Sequence, residues 1–261
     1  MRERFERSMI SYRLFLEGQG IEKTVAGNGY YICYLNVLKV VFLRQMIHIQ
    51  SFTFNPFSEN TYVLYDDALD AVMVDPGCYE KREQEELADF VSLNKLNLKL
   101  LLNTHCHIDH VLGNEFVKRR YNIPFLIHPT ELPVLKSVKV YAPNYGFPNY
   151  HEVLPDGELK EGMPVRFGKS SLDVLFLPGH SPGHVGFYES QQKFLISGDV
   201  LFYHSVGRTD LPGGNSNTLL ASIREKLFLL PDEVTVYSGH GPATTLGEEK
   251  LHNPYCALAI K

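Results

Sequence analysis

The stretch Leu98-Lys99-Leu100-Leu101-Leu102-Asn103-Thr104-His105-Cys106-His107-Ile108-Asp109-His110 decides how this chain is read. It opens with an apolar run of strand length. Four groups able to bind a metal then follow within six residues: His105, His107, Asp109 and His110. Neutral imidazole nitrogen and carboxylate oxygen are the donors that zinc and its first-row neighbours accept at catalytic sites.

The same plan recurs downstream. Residues 174–177 run into Pro178-Gly179-His180, 194–196 into Ser197-Gly198-Asp199, and 234–237 into Ser238-Gly239-His240. Each is an apolar strand that ends in a glycine and then in a residue able to bind metal. Residues 71–74 followed by Asp75 fit the pattern. Strand ends would therefore deliver His105, His107, Asp109, His110, His180, Asp199 and His240 to one rim of the sheets. Seven side chains exceed the three or four protein ligands of a single zinc site. They suit two divalent ions sharing Asp199, a pair able to deprotonate a water and polarise a carbonyl oxygen. Zinc is expected; iron and manganese accept the same donors.

Outward from these motifs, strands and helices alternate. Residues 47–54 and 61–65 read as a β-hairpin around an Asn-Pro turn, and 71–74 as a short strand ending in Asp75-Pro76-Gly77. Helices are expected near 80–94, 109–121 and 217–229, with a short one closing the chain. Further strands are expected at 98–102, 124–127, 163–168, 171–177, 184–188, 193–197 and 234–237. Residues 141–157 read as an irregular loop rich in Tyr, Pro, Asn and Gly. Continuous apolar strands interrupted by helices imply an α/β fold, two sheets face to face with helices packed outside.

Composition bounds the partners. The 261 residues are 44% apolar and 21% charged, ordinary for a globular chain. No apolar run reaches the ~18 residues that would span a bilayer. A net charge of −5 is not built for a polyanion, so neither nucleic acid nor membrane is an expected partner. Cys33, Cys78, Cys106 and Cys256 follow no disulfide framework, which fits a reducing cytoplasm. The first 45 residues differ from the rest, with seven basic residues against four acidic ones. Their aromatic and aliphatic stretch lies too far in for a signal peptide and carries a charge. They read as a poorly ordered extension, with the domain spanning residues 46–261.

The His-x-His-x-Asp-His run with His180, Asp199 and His240 resembles the metallo-β-lactamase superfamily. Gly198-Asp199-Val200-Leu201-Phe202, Gly207-Arg208-Thr209-Asp210 and Pro178-Gly179-His180-Ser181-Pro182-Gly183-His184 narrow the resemblance to glyoxalase II-like hydrolases (hydroxyacylglutathione hydrolases). The resemblance covers roughly residues 46–250. It implies an αββα sandwich with metals at the edge between the sheets. It also implies one metal on His105, His107 and His180, a second on Asp109, His110 and His240, and Asp199 with a hydroxide between them. Asp109 and Asp199 would be the catalytic carboxylates, and Asp75 the acid that orients ligand histidines. The implied reaction is thioester hydrolysis by the bridging hydroxide. Full-length glyoxalase II enzymes carry a helical C-terminal domain that helps hold glutathione; this chain ends shortly after His240 and looks like the short subgroup.

Several features keep alternatives. Tyr145, in a loop with Tyr141, Phe147 and Tyr150, could cover the substrate or pack. Arg208 could contact a substrate carboxylate or pair with Asp210. His184 reads as shaping its turn or packing rather than binding metal, and Cys106 as a small buried residue. An iron-dependent persulfide dioxygenase shares most of these residues, including a Gly-Arg-Thr-Asp run, and needs only two His and one Asp for its iron. A non-catalytic metal-binding module would instead close its site with four ligands.

Overall fold

The computed structural model describes residues 46–258. The extension expected over residues 1–45 lies outside the described residues. The first sheet is built by the N-terminal half. β1 (Ile47–Phe54), β2 (Glu59–Asp66) and β3 (Asp70–Val74) form an antiparallel meander. α1 (Lys81–Leu93) carries the chain across to β4 (Asn97–Leu102), which lies parallel to β3. α2 (Ile108–Val111) and α3 (Asn114–Tyr121) lead to the parallel strand β5 (Phe125–Ile127), and α4 (Leu132–Tyr141) precedes the short β6 (Gly157–Glu158).

The second sheet follows as β7 (Val165–Phe167), β8 (Ser170–Phe176), β9 (Val185–Glu189) and β10 (Phe194–Gly198), each antiparallel to the last. A small hairpin, β11 (Leu201–Phe202) with β12 (Ser205–Val206), precedes α5 (Ser216–Glu225). β13 (Thr235–Ser238) then pairs parallel to β10, and β14 (Thr244–Thr245) and α6 (Leu246–His252) close the domain. The strand orders are β1-β2-β3-β4-β5-β6 and β14-β13-β10-β9-β8-β7.

Both faces of the central strands are apolar because both are covered, and the period of two sorts them. On β3, Ala71 and Met73 pack with Leu87, Val91, Val117 and Leu135 of the helices, while Val72 and Val74 face Phe167, Leu172 and Phe187 of the other sheet. On β10, Phe194 and Ile196 face inward, while Leu195 packs with Leu219 and Ile223 of α5. Three buried layers therefore separate helix, sheet, sheet and helix: the expected αββα sandwich.

Local differences from the sequence reading have physical causes. The helix expected over 109–121 is two helices, broken at Leu112-Gly113. There the Gly113 N–H donates to Pro76 O at 2.7 Å, and a Cβ on Gly113 would sit 2.6 Å from Cys78 Sγ. The helix α4 is not anticipated, since Pro133 and the β-branched Val134, Val138 and Val140 weaken its signal; burial of Leu135 and Val138 sustains it. The helix expected over 217–229 ends at Glu225 and continues as a 3-10 turn, Leu227–Leu229.

β3, β4, β8, β10 and β13 all run in one direction, so their C-terminal ends meet at one edge. There the two sheets are stitched together. Val185 N–H donates to Thr104 O at 2.8 Å, Asn60 N–H to Gly239 O at 2.7 Å, and the Tyr62 hydroxyl to Ser238 O at 2.6 Å.

Candidate metal centre

Each of those strands delivers a side chain to that edge. His180 Nε2 lies 2.9 Å from His107 Nδ1 and 3.2 Å from His105 Nε2. His240 Nε2 lies 3.1 Å from Asp109 Oδ2, which is 3.7 Å from His110 Nε2. Asp199 stands between the two groups: Oδ2 is 3.4 Å from His240 Nε2 and 3.6 Å from His180 Nε2, and Oδ1 is 3.4 Å from His110 Nε2. His105–His107–His180 and Asp109–His110–His240 each have donor atoms within 4.8 Å of one another, so each group could hold a metal ion.

The imidazoles are aimed by what holds their other nitrogen. His180 Nδ1 donates to Arg208 O at 2.7 Å, and His240 Nδ1 faces Phe57 O at 3.1 Å and Ser58 O at 3.2 Å. His110 Nδ1 lies 3.2 Å from Asp75 Oδ2. His105 Nδ1 lies 3.1 Å from Thr104 Oγ1, whose hydroxyl donates to Asp75 Oδ2 at 2.6 Å. An oxygen acceptor at Nδ1 places the proton there and leaves the Nε2 lone pair facing the centre, the arrangement a metal-bound histidine requires. Asp75 also groups with His105 and His110 within 4.8 Å. Its carboxylate already accepts from Thr104 N at 2.7 Å and Asn103 Nδ2 at 3.1 Å, so its Oδ1 is engaged by the fold.

Close packing adds a further constraint. A Cβ on Gly239 would sit 2.1 Å from Asp199 Oδ1 and 2.8 Å from His110 Cε1, so the strand end must be bare for Asp199 to enter.

Protonation divides the site. Burial, with neighbouring imidazoles adding to it, pushes His105 well down and His107 down to about 3. Burial also lowers His180. These three are held neutral, as ligands must be. Burial would lower His110 and His240 too, but the carboxylates of Asp199 and Asp109 outweigh it. His110 rises well above its ordinary value, and His240 rises to about 10. Burial likewise opposes ionisation of Asp199, yet His110 beside it holds the carboxyl well below its usual range. Four buried atoms here, His110 Nε2 and Asp199 Oδ1 at the centre and Glu59 Oε1 and His184 Nδ1 beside it, have no hydrogen-bond partner. Mixed nitrogen and oxygen donors, neutral imidazoles and polar atoms without partners fit a bound cation.

The two residues singled out for substrate contact lie outside these groups. Arg208 is exposed and gives both Nε and Nη2 to Asp210, at 2.7 and 2.6 Å. Tyr145 is 57% exposed, its ring 6.4 Å from that of Phe57. Phe147, in contrast, is buried and packs edge-on against Tyr79 at 4.9 Å. Cys78 and Cys106 are buried, and burial raises both thiols.

Other residues at this edge are not singled out by sequence reasoning for what they do here. His184 stacks on His105 at 4.7 Å and accepts the Asp199 N–H at 3.0 Å. Glu59 is fully buried beside His110, Oε1 3.8 Å from its Nδ1. Glu131 accepts three hydrogen bonds from the loops that carry His105, His107 and His180. The paired Pro-Gly-His of 178–184 marks His184; Glu59 and Glu131 stand in ordinary polar contexts and carry no such mark.

Residues 54–240 match the family model of the metallo-beta-lactamase superfamily. The chain belongs to that superfamily. Within it, the chain is 36% identical over 211 residues to the hydroxyacylglutathione hydrolase GloC of Haemophilus influenzae, covering 80% of this chain and 98% of the relative. Among solved superfamily structures, the BLEG-1 B3 metallo-beta-lactamase is 36% identical with a TM-score of 0.72, covering 80% of this chain and 99% of that one. TTHA1623, solved in a di-iron-bound form, is 38% identical with a TM-score of 0.71, covering 79% and 99%. Among the described residues, no helix is long and apolar enough to cross a membrane.

Proposed function

We propose that this chain hydrolyses a thioester of the hydroxyacylglutathione type, using two divalent metal ions held by His105, His107 and His180 and by Asp109, His110 and His240, with Asp199 between them. The carrying observation is the position of Asp199, whose two oxygens face imidazoles of both groups. Similarity to the GloC hydrolase over nearly all of that relative's length supports the thioester as substrate. Zinc is the expected metal; the di-iron form of a 38% identical relative makes iron a natural occupant as well.

A metal pair, when bound, supplies an acidified water and a Lewis acid for the carbonyl oxygen. The chain's own residues do the rest. Arg208 O, Phe57 O, Thr104 Oγ1 and Asp75 fix the ring nitrogens that face away from the centre. Asp199 and Asp109 hold negative charge at the floor, and the free Oδ1 of Asp199 is placed to take a cation. The layer between the sheets beneath the site is filled by buried apolar side chains such as Val72, Val74, Phe187 and Ile196. Tyr145 and Phe57 form an aromatic wall for the acyl or thiol group, and Arg208 can exchange Asp210 for a substrate carboxylate. Water adds across the acyl carbon, and carboxylic acid and thiol leave; no protein nucleophile is needed.

Metal analysis of the purified protein, coupled to a substrate panel, tests this reading. About two metal equivalents and hydrolysis of hydroxyacylglutathione thioesters are expected. Iron alone with oxygen uptake on glutathione persulfide would transfer the assignment to a persulfide dioxygenase. Turnover of a β-lactam with no thioester cleavage would transfer it to the chemistry in the name of the BLEG-1 relative. Bound metal with no turnover would leave a binding module.

A further inference from the structure

We infer that Glu131 is a positioning residue that clamps together the two loops carrying the three-histidine group. It lies at the end of a 3-10 turn, Pro129–Glu131, at the start of α4, and is 1% exposed. Its Oε2 accepts the N–H of Cys106 at 2.9 Å, and its Oε1 accepts the Ser181 hydroxyl and the Gly183 N–H, both at 2.6 Å. Cys106 sits between His105 and His107, and Ser181 follows His180. One carboxylate thus fixes the spacing of all three imidazoles without touching any of them.

The clamp reaches further through its turn. His184, at the end of the 181–184 turn, accepts the Asp199 N–H, so the loop that Glu131 holds also sets the backbone of the shared carboxylate. The fit is tight: a Cβ on Gly183 would lie 2.8 Å from both the Glu131 backbone N and its Cγ. All three partners are donors, which an ionised carboxylate suits and an amide does not. In Glu131→Gln the amide NH₂ must face at least one N–H or O–H, leaving a buried donor without an acceptor.

This inference rests on the proposed metal reading of His105, His107 and His180. Its test therefore separates the two. Metal retention against a competing chelator, and the visible spectrum of the cobalt-loaded protein, are measured for wild type, Glu131→Gln, Ser181→Ala and Glu249→Gln. Glu249 is the control: it is fully buried and also accepts three hydrogen bonds, from Thr244 Oγ1, Asn253 Nδ2 and His204 N, but ties α6 to the β11–β12 hairpin.

Glu131→Gln should weaken binding of one of the two ions by about 10- to 100-fold and alter the cobalt spectrum. Ser181→Ala should do the same to a smaller degree. Glu249→Gln should lower the melting temperature with its metal retained. If Glu131→Gln fails to fold, Ser181→Ala decides. Wild-type metal affinity in the variants of the clamp, or equal metal loss in Glu249→Gln, overturns the inference while leaving the metal site standing. A wild-type chain that binds no metal overturns both.

Discussion

Asp75→Asn is nearly isosteric, yet the structure forces it to disturb both metal groups at once. The Oδ1 position faces two donors, Thr104 N at 2.7 Å and Asn103 Nδ2 at 3.1 Å. The Asn103 amide cannot flip to oblige, since its Nδ2 also donates to His110 O at 2.7 Å and its Oδ1 accepts from Asn114 at 2.8 Å. The new NH₂ must therefore occupy the Oδ2 position, facing His110 Nδ1 at 3.2 Å and Thr104 Oγ1 at 2.6 Å. His110 Nδ1 then has to accept, which moves its proton to Nε2, the nitrogen aimed at Asp109 and Asp199. Thr104 Oγ1 also becomes an acceptor, and its hydrogen turns towards His105 Nδ1, so His105 shifts tautomer as well.

Each lost charge-assisted bond is worth roughly 1.5–3 kcal/mol when buried. Part is recovered by the new pairings, so a net loss of about 1.4–2.8 kcal/mol per metal is expected, about 10- to 100-fold in affinity. Chelator competition measures the affinity, ¹⁵N-detected histidine spectra report the tautomers, and circular dichroism checks the fold. An Asp75→Asn protein with wild-type affinity for both metals and unchanged tautomers would refute this account of how the histidines are aimed.

Other expectations follow from the same geometry. Asp199→Ala should remove bound metal and hydrolysis together; full activity with one normal metal group would count against a shared carboxylate. Gly239→Ala places a methyl on Asp199 Oδ1 and should cost about 1–3 kcal/mol of stability, by thermal melting, together with at least about tenfold in turnover. In the metal-free protein, His240 is raised from 6.5 to about 10. Its pairing with Asp109 and Asp199 therefore stabilises fully below about pH 6.5 and is lost as pH rises towards 10. The metal-free melting temperature should fall across that window; an unchanged value would show that the pairing contributes nothing. Tyr145→Ala should raise KM a few-fold with metal content unaltered, since its ring neighbours Tyr141 and Phe57, the residue whose carbonyl faces His240, and stacks on none of the donor groups.

How much was legible in the sequence depended on whether the cause was local. The strand ends Val74-Asp75, Gly198-Asp199 and Gly239-His240 were readable because an apolar run, a turn residue and a donor lie side by side in the chain. The sandwich was readable because strands apolar on both faces must be covered on both faces. What could not be read depends on packing across the fold. Nothing near Phe57 or Arg208 in sequence announces that their carbonyls orient His240 and His180; that follows from where the β1–β2 turn lies beside the end of β13 and the 207–214 loop beside the end of β8. The break between α2 and α3 comes from a close approach of Gly113 to Cys78, distant in sequence. Helix α4, with Glu131 at its start, is held by Leu135 and Val138 against a sheet the sequence does not display.

The charge pattern of the centre explains how such a site can fold before any metal arrives. Asp109 and Asp199 are brought within reach of one another with their side chains mostly buried, where two like charges would repel strongly. In the metal-free chain, the protons on His110 and His240 offset them, and both imidazoles are raised for that reason. The three-histidine group beside them carries no such protons, because burial and the neighbouring imidazoles outweigh the pull of Asp199 and Asp109 there. One half of the site is thus ready to accept a cation without releasing a proton, and the other must exchange protons for it. The two ions should consequently bind with different pH dependence, the three-histidine group filling at lower pH. Calorimetric titration in buffers of different ionisation enthalpy would detect this as near-zero proton release for one ion and release close to one or two for the other; equal release for both would show that the two groups do not differ in the way their surroundings require.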